Sequence, residues 1–264
     1  MRLFAVLFFL TYGVAGSYGR PADAQGARSP VLVELFTSEC CSSFPPIDAL
    51  VQQLDASQPF PNAQLIVLSE HVDYWNHDGW KDPYSSSLFT ERQNAYVHAL
   101  GLSEPYTPQI VVDGNEVLKS YTPQQISQIF EKAAAAPQIP VHIVALSVED
   151  KGQPVVQARI EADGEAVSHN ADVYLAVALE HAESQVSAGE NNGKRLTHVA
   201  VVQYLKRLGR LESGKSFGQD CQVKLKKGTD PANLRVVAFV QEPGPGKVLG
   251  TVLRKPATNL MSSR

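Results

Sequence analysis

The chain lacks an excess of basic charge, internal repeats and low-complexity segments. It carries 23 lysines and arginines against 27 acidic residues, giving a formal net charge of −4, and charges of both signs are scattered along it. A nucleic-acid-binding domain needs a basic patch or stripe, so we expect no nucleic-acid partner. With 264 residues, 44% of them hydrophobic, the composition is typical of a soluble globular protein with one large or two small domains.

Long apolar segments are also scarce, and the one clear example lies at the N-terminus. Arg2 precedes an apolar run over residues 3–15, and small residues at 14–16 and at 22–24 each offer a cleavage site, of which Ala-Asp-Ala at 22–24 fits the usual pattern. The run is shorter than the roughly 20 residues that cross a bilayer. We therefore predict a signal peptide at 1–24, export to a periplasmic or extracellular space, and no membrane span in the mature chain. An uncleaved anchor or a buried core helix is the alternative.

Residues 30–136 alternate between strand-type and helix-type patterns. Strands are predicted at 31–36, 63–68, 110–112 and 116–119, and helices at 47–54, at 88–100 and from residue 122 onward. Alternating strands and helices indicate a mostly parallel sheet with helices on its faces. The order β-α-β-α-β-β-α is that of a thioredoxin-like domain, which we predict over residues 30–136.

A Pro-bounded linker at 136–140 separates this region from a different pattern. Seven short apolar runs follow, separated by turn residues, at 141–146, 155–160, 173–179, 198–202, 221–225, 234–240 and 248–253. Residues 204–211 also allow a helix. Short strands at this spacing predict a mainly antiparallel β-sandwich-like domain over residues 140–258.

Cys41 stands at the turn between the first predicted strand and its helix. The dipole and the unpaired N–H groups of a helix N-terminus favour a thiolate, which is the attacking form in disulfide exchange. Redox enzymes of this kind place a resolving cysteine three residues later, but here that position is Phe44. The motif Cys-Ser-Ser-Phe therefore predicts a thiol that attacks without a local partner.

The cysteine turn and two later stretches resemble a family of secreted thioredoxin-like proteins of unknown function. The matching stretches are VELFTSECCSSFPPIDAL, HVDYWNHDGWKDPYSSSLFTERQNAYVHALGL and YTPQIVVDG, and the resemblance continues into GENNGKRLTHVAVVQYL. Family members typically have S-x-G-C-S-S-C-P-P at the turn. Cys41 matches the first family cysteine, Cys40 replaces a glycine, and Phe44 replaces the second cysteine. The resemblance implies the fold and, by analogy, a dithiol activity.

Thr107 and Pro108 precede the third predicted strand. In thioredoxin-like proteins the matching proline is cis and lies against the cysteine turn, so the resemblance implies that role for Pro108. Without the resemblance, Pro108 is an ordinary loop proline.

The other two cysteines leave several pairings open. Cys40 is either a strained partner of Cys41 or simply buried beside the turn. Cys221, in the β-rich region, is a candidate resolving residue for Cys41, a partner of Cys40, or a thiol that pairs between chains. The sequence does not choose among these.

The loop after the second predicted strand supplies polar and aromatic candidates. Loops that follow parallel strands gather at one sheet edge, so His71, Asp73 and Trp75 are expected near Cys41. The alternative is that the aromatic and acidic residues of this loop only shape it. Together with Phe44 and Thr107, these three residues form the predicted substrate-binding set. A metal site from His71, His77 and Cys41 has no compact ligand spacing, so we expect no metal and no other cofactor.

These features favour a thiol-disulfide oxidoreductase-like protein of the cell envelope with a single-cysteine motif. Its expected partners are protein or small-molecule thiols and disulfides. The alternative is a non-catalytic secreted protein that binds or scaffolds a partner. Cys41 favours the first hypothesis, and Phe44 favours the second.

Overall fold

The computed structural model describes residues 28–77 and 79–257, so the predicted signal peptide at 1–24 lies outside the described residues. Its elements in chain order are β1 (Ser29–Thr37), α1 (Pro45–Ser57), β2 (Ala63–His71), α2 (Ser87–Ala99), β3 (Gln109–Val112), β4 (Glu116–Val117), α3 (Pro123–Ala134), β5 (Val141–Asp150), β6 (Pro154–Asp163), β7 (Ala171–Gln185), β8 (Arg195–Leu211), β9 (Ser216–Lys224), a short 3-10 helix (Pro231–Asn233), β10 (Leu234–Gln241) and β11 (Val248–Arg254). The strands and helices predicted between residues 31 and 134 are confirmed, with bounds that differ by a few residues.

The sheet order overturns the predicted fold class. Eight strands form one mixed sheet in the order β11-β10-β7-β8-β2-β1-β3-β4, and three form a second sheet in the order β5-β6-β9. β1 and β2 are parallel, whereas β7 is antiparallel to both β8 and β10. The prediction of an α/β thioredoxin-like domain followed by a mainly antiparallel β-sandwich-like domain is therefore wrong. The described chain is mostly β, and strands from both halves share one sheet.

The length of β7 and β8 explains this difference. They have 15 and 17 residues, far more than the runs predicted at 173–179 and 198–202. Residues 204–211, for which the sequence also allows a helix, continue β8. β8 meets β2 at the pair Ser69 and Val201, and the Ser69 hydroxyl donates to the Val199 carbonyl at 2.7 Å. Because of this junction the sheet runs on from the first half of the chain into the second.

Helices and the smaller sheet pack on the large sheet. α1 and α3 cover β1 to β3 through Val51 and Phe130, and the three-stranded sheet covers β7 and β10 through residues such as Ile160. On the opposite face, Phe89 of α2 packs into a separate apolar cluster. Within residues 28–77 and 79–257, no helix is long and apolar enough to cross a membrane.

α1 is held firmly, and it positions the turn before it. Prolines fit its first two positions, since an N–H there would have no helical partner. At the other end the Gln58 side chain accepts from the Leu65 N–H at 2.8 Å and donates to the Leu65 carbonyl at 3.0 Å. These two bonds tie the end of α1 to β2.

A buried ion pair joins α2 to β1. Arg92 Nε donates to Glu34 Oε1 at 2.5 Å, and an Nη atom donates to the Tyr96 hydroxyl at 3.0 Å and to Gln241 Oε1 at 3.1 Å. Tyr96 in turn donates to Glu34. Burial, reinforced by the adjacent Glu34 charge, raises the pKa of Glu70 well above its usual range and so favours its neutral form. Arg92 therefore balances the charge of Glu34 inside the core.

Candidate functional site

Cys41 lies in the tight turn that connects β1 to α1. The turn is closed by a hydrogen bond from the Phe44 N–H to the Cys41 carbonyl at 3.4 Å. The Cys41 side chain is half-exposed, and its sulfur lies 3.1 Å from the Ser43 hydroxyl oxygen. The thiol thus follows the carboxyl end of β1, in the strand-to-helix turn where the sequence predicted it.

The helix supplies fewer donors to this thiol than expected. Pro45 and Pro46 have no N–H, and the N–H groups of Ile47 and Asp48 donate to the Phe44 carbonyl at 2.9 and 3.2 Å. The helix dipole remains, but the side-chain group beside the Cys41 sulfur that can donate is the Ser43 hydroxyl. A Cys41 thiolate thus relies on Ser43 more than on the first turn of α1.

The other two cysteines occupy different surroundings. Cys40 is 1% exposed, and its thiol donates to the Trp80 carbonyl at 3.1 Å. Cys221 lies on β9 in the three-stranded sheet, where its thiol donates to the Ala158 carbonyl at 3.2 Å and burial raises its pKa. No disulfide joins any of these cysteines in the described chain. The structure thus places Cys221 on a different sheet from the Cys41 turn.

Phe44, Trp75, Thr107 and Pro108 form a continuous chain of contacts beside the turn. The Phe44 and Trp75 rings meet edge to face with centroids 5.6 Å apart, and Trp75 Nε1 donates to the Thr107 hydroxyl at 2.6 Å. The Thr107–Pro108 peptide bond is cis, as the resemblance implied. Four of the predicted site residues are thus brought together on one side of the Cys41 turn.

His71 and Asp73 have partners of their own. His71 is fully buried, with Nδ1 2.7 Å from Asp82 Oδ2. Asp73 Oδ1 accepts from the Thr90 hydroxyl at 2.6 Å, which ties the loop to α2. His71 is closed off from solvent, whereas Asp73 is half-buried like Cys41, and their roles in substrate binding stay predictions.

Under the turn lies a buried acidic cluster that the sequence did not reveal. His198 on β8 places Nε2 3.1 Å from Glu39 Oε1 and Nδ1 3.5 Å from Asp48 Oδ1, the second at the outer limit of a hydrogen bond. Trp80 Nε1 donates to the other Glu39 oxygen at 2.8 Å. The chain separation of Glu39 and His198 explains why pattern analysis missed the cluster.

Asp82 and His71 form the second half of the buried cluster, and Asp82 binds the backbone of the cysteine turn. Asp82 Oδ2 accepts from the Glu39 N–H at 2.9 Å as well as from His71. Burial alone would raise the pKa of Asp82, but the charge and hydrogen bond of His71 and two backbone N–H groups lower it. The His71 and His198 rings meet edge to face with centroids 4.7 Å apart. The two histidines and their acids therefore form one support beneath residues 39–41.

His198 is protonated at neutral pH. Burial alone would lower its pKa, but the hydrogen bonds and charges of Asp48 and Glu39 outweigh burial and raise the pKa to about 9, against an ordinary value of 6.5. A buried imidazolium between two carboxylates compensates part of their charge.

We expect the stability of the protein to fall as the pH rises from about 7 to 9. The folded state holds the His198 proton more tightly than the unfolded chain, so this stabilisation is complete below the unfolded pKa and is lost through the folded one. The free energy of unfolding should fall by at most about 1.4 kcal/mol per pH unit in this range. Urea unfolding at several pH values measures it. His198→Gln should flatten the curve, whereas His142→Gln, at an exposed position, should not. Equal slopes in all three proteins contradict the assignment.

The loop between β7 and β8 covers the cysteine turn from the other side. Glu190 Oε2 accepts from the Ser42 N–H at 2.8 Å and from the Ser42 hydroxyl at 2.9 Å. The buried Asn191 donates to the carbonyls of Glu39 at 2.8 Å and Cys41 at 3.1 Å. The only sequence signal for this contact is the stretch GENNG, which falls within the resemblance to the family but has no obvious partner.

The residues described here form no group of three or more histidine, cysteine, aspartate or glutamate side chains placed to hold a metal ion. The features that define the site are the Cys41 thiol, the Glu190 carboxylate that binds its turn, and the packed rings of Phe44 and Trp75.

Fold and site together define a β-rich protein with a half-exposed thiol in the turn after an interior strand of a mixed sheet. The chain belongs to the family described as protein of unknown function (DUF1223), whose model matches residues 32–241. This match confirms the resemblance to an uncharacterised family and extends it from residue 205 to residue 241.

Two solved structures share the fold. A crystal structure of a protein from Agrobacterium tumefaciens is 23% identical, with a TM-score of 0.61, over 90% of this chain and 99% of that one. HBP35 of Porphyromonas gingivalis is 16% identical, with a TM-score of 0.63, over 88% of this chain and 76% of that one. No curated protein gives a significant match. Identities this low show the fold alone.

Proposed function

We propose that Cys41 is the reactive thiol of a thiol-disulfide exchange protein whose partners are protein or small-molecule thiols and disulfides. The half-exposed position of Cys41 beside the Ser43 hydroxyl carries this proposal. Cys40 is buried, and burial raises the pKa of Cys221, so each is a poorer nucleophile. Export, which the segment at 3–15 supports, would place the reaction where disulfides persist.

The proposed reaction needs one cysteine and an external thiol. The Cys41 thiolate attacks one sulfur of a disulfide, forms a mixed disulfide, and releases the other sulfur as a thiolate that takes up a proton. A second thiolate, from a small-molecule or protein thiol, then attacks the substrate sulfur of the mixed disulfide. This step frees Cys41 and forms a new disulfide, so no net oxidation or reduction of the protein occurs.

Exchange between a small disulfide and a second thiol tests this proposal. We expect Cys41→Ser to reduce the rate to that of the uncatalysed reaction, because the attacking sulfur is lost. Cys221→Ser, which removes a thiol on the other sheet, is the matched control and should retain the rate. If Cys41→Ser exchanges as fast as the wild type, Cys41 is not the reactive thiol.

The packing of Phe44 favours a second candidate function, a non-catalytic secreted protein that binds or scaffolds a partner. Phe44 is 2% exposed and packs on Trp75, so the position three residues after Cys41 supports the fold instead of resolving a disulfide. A wild-type exchange rate equal to the uncatalysed rate would favour this non-catalytic function over the exchange function.

A further inference from the structure

Glu190 is the charged group that contacts the Cys41 turn from the β7–β8 loop. Its Oε2 atom accepts two hydrogen bonds from Ser42, the residue that follows Cys41. The Glu190 side chain is also exposed. A substrate that reaches the Cys41 sulfur therefore approaches this carboxylate as well.

The loop that carries Glu190 is anchored on both sides. Asn191 is fully buried, and its side-chain N–H groups donate to two carbonyls of the cysteine turn. Lys194 Nζ donates to Asn191 Oδ1 at 2.9 Å, which orients the amide. These bonds anchor the loop next to Glu190 to the cysteine turn.

The charge at this position is negative. The hydrogen bonds from the Ser42 N–H and the Ser42 hydroxyl lower the pKa of Glu190, so the carboxylate is ionised at neutral pH. Beneath the turn, Glu39 and Asp48 share the protonated His198, and Asp82 pairs with His71. Lys194 is the cation that acts on Glu190, and its ammonium is committed to Asn191.

We infer that Glu190 makes the Cys41 site selective for disulfides that carry positive charge, an inference that rests on the exchange function proposed above. A cationic group beside the attacked sulfur pairs with the Glu190 carboxylate as the substrate docks, whereas an anionic group is repelled.

Exchange rates with three small disulfides of different charge test the inference. The probes are cystamine, which is cationic, the neutral disulfide of mercaptoethanol, and the anionic disulfide of mercaptoacetic acid, each rate being divided by that of a free small thiol. At low ionic strength we expect the wild type to prefer cystamine over the anionic probe by roughly tenfold. Added salt should reduce this preference, because the interacting charges are exposed.

Two variants distinguish the effect of the Glu190 carboxylate on the exchange rates from the effect of the net charge of the protein. Glu190→Gln keeps an oxygen that accepts from Ser42 and should abolish the preference. Glu183→Gln removes an exposed carboxylate at the end of β7 that pairs with Arg195, and it should preserve the preference. Equal relative rates for the three probes in the wild type, or a preference unchanged by salt, overturn the inference while the exchange function stands. Absence of exchange with every probe overturns both.

Discussion

Replacing Arg92 with leucine is expected to lower the free energy of unfolding by about 3–5 kcal/mol. Glu34 is fully buried, and Arg92 is the cation that donates to its carboxylate, at 2.5 Å. Without Arg92 the Glu34 charge stays in a core with no counter-charge, and Tyr96 and Gln241 lose a donor. A leucine recovers some apolar contact but none of that compensation.

The matched control is Lys132→Leu, which removes the cation of an exposed ion pair between α3 and Glu116. Exposed pairs contribute about 0.2–1 kcal/mol. Urea unfolding of both variants measures the difference. The variant Glu34→Leu/Arg92→Leu should lose less stability than the sum of its single changes, because removing both charges leaves none unpaired. Equal losses for Arg92→Leu and Lys132→Leu would show that the buried pair is not compensated as described.

Phe44→Cys is expected to convert the exchange site into a dithiol site with faster disulfide reduction. The hydrogen bond from the residue 44 N–H closes the turn on Cys41, and such a turn keeps its first and fourth Cα atoms within about 7 Å. That separation is in the range of a disulfide. A thiol at position 44 then attacks the mixed disulfide within the molecule, at an effective concentration well above that of an external thiol. Reduction of a model disulfide by dithiothreitol measures the rate.

The same change costs stability, which the assay must separate from activity. Phe44 packs edge to face on Trp75, and losing a buried phenylalanine side chain costs about 3–5 kcal/mol. Phe44→Ser loses the same ring without gaining a thiol, so it is the matched control. If Phe44→Cys reduces the model disulfide no faster than Phe44→Ser while both are folded, the turn does not bring positions 41 and 44 within reach.

Local patterns predicted most elements but not their assembly. The spacing of Ile47, Leu50, Val51 and Leu54 gave α1, and the Asp113–Gly114 turn gave the β3–β4 hairpin, because both depend on neighbouring residues. The junction of β2 and β8 depends on residues 130 positions apart, such as Ser69 and Val199. No local sequence pattern predicts the pairing of β2 with β8. The predicted division into a thioredoxin-like domain and a β-sandwich-like domain is therefore wrong at this junction.

The same difference between local and long-range contacts decides which residues of the candidate site were predicted. Cys41, Phe44, Trp75 and Pro108 were found because the turn and the loop around it have recognisable residues. Glu190 and His198 were missed, since each reaches the turn from about 150 residues away. Their contribution is electrostatic: one carboxylate beside the thiol and one imidazolium beneath it. Such contributions follow from the fold and not from spacing along the chain.

The mass of the intact protein after brief treatment with a small disulfide tests the central claim most directly. Cys41 and Cys221 are both half-exposed, but burial raises the pKa of the Cys221 thiol, whereas Cys41 lies beside the Ser43 hydroxyl. We therefore predict one mixed-disulfide adduct, located at Cys41 by peptide mapping and released by dithiothreitol. Cys41→Ser should form no adduct under the same conditions, and Cys221→Ser should form the same one as the wild type. An adduct on Cys40 or Cys221 with Cys41 unmodified would contradict the claim.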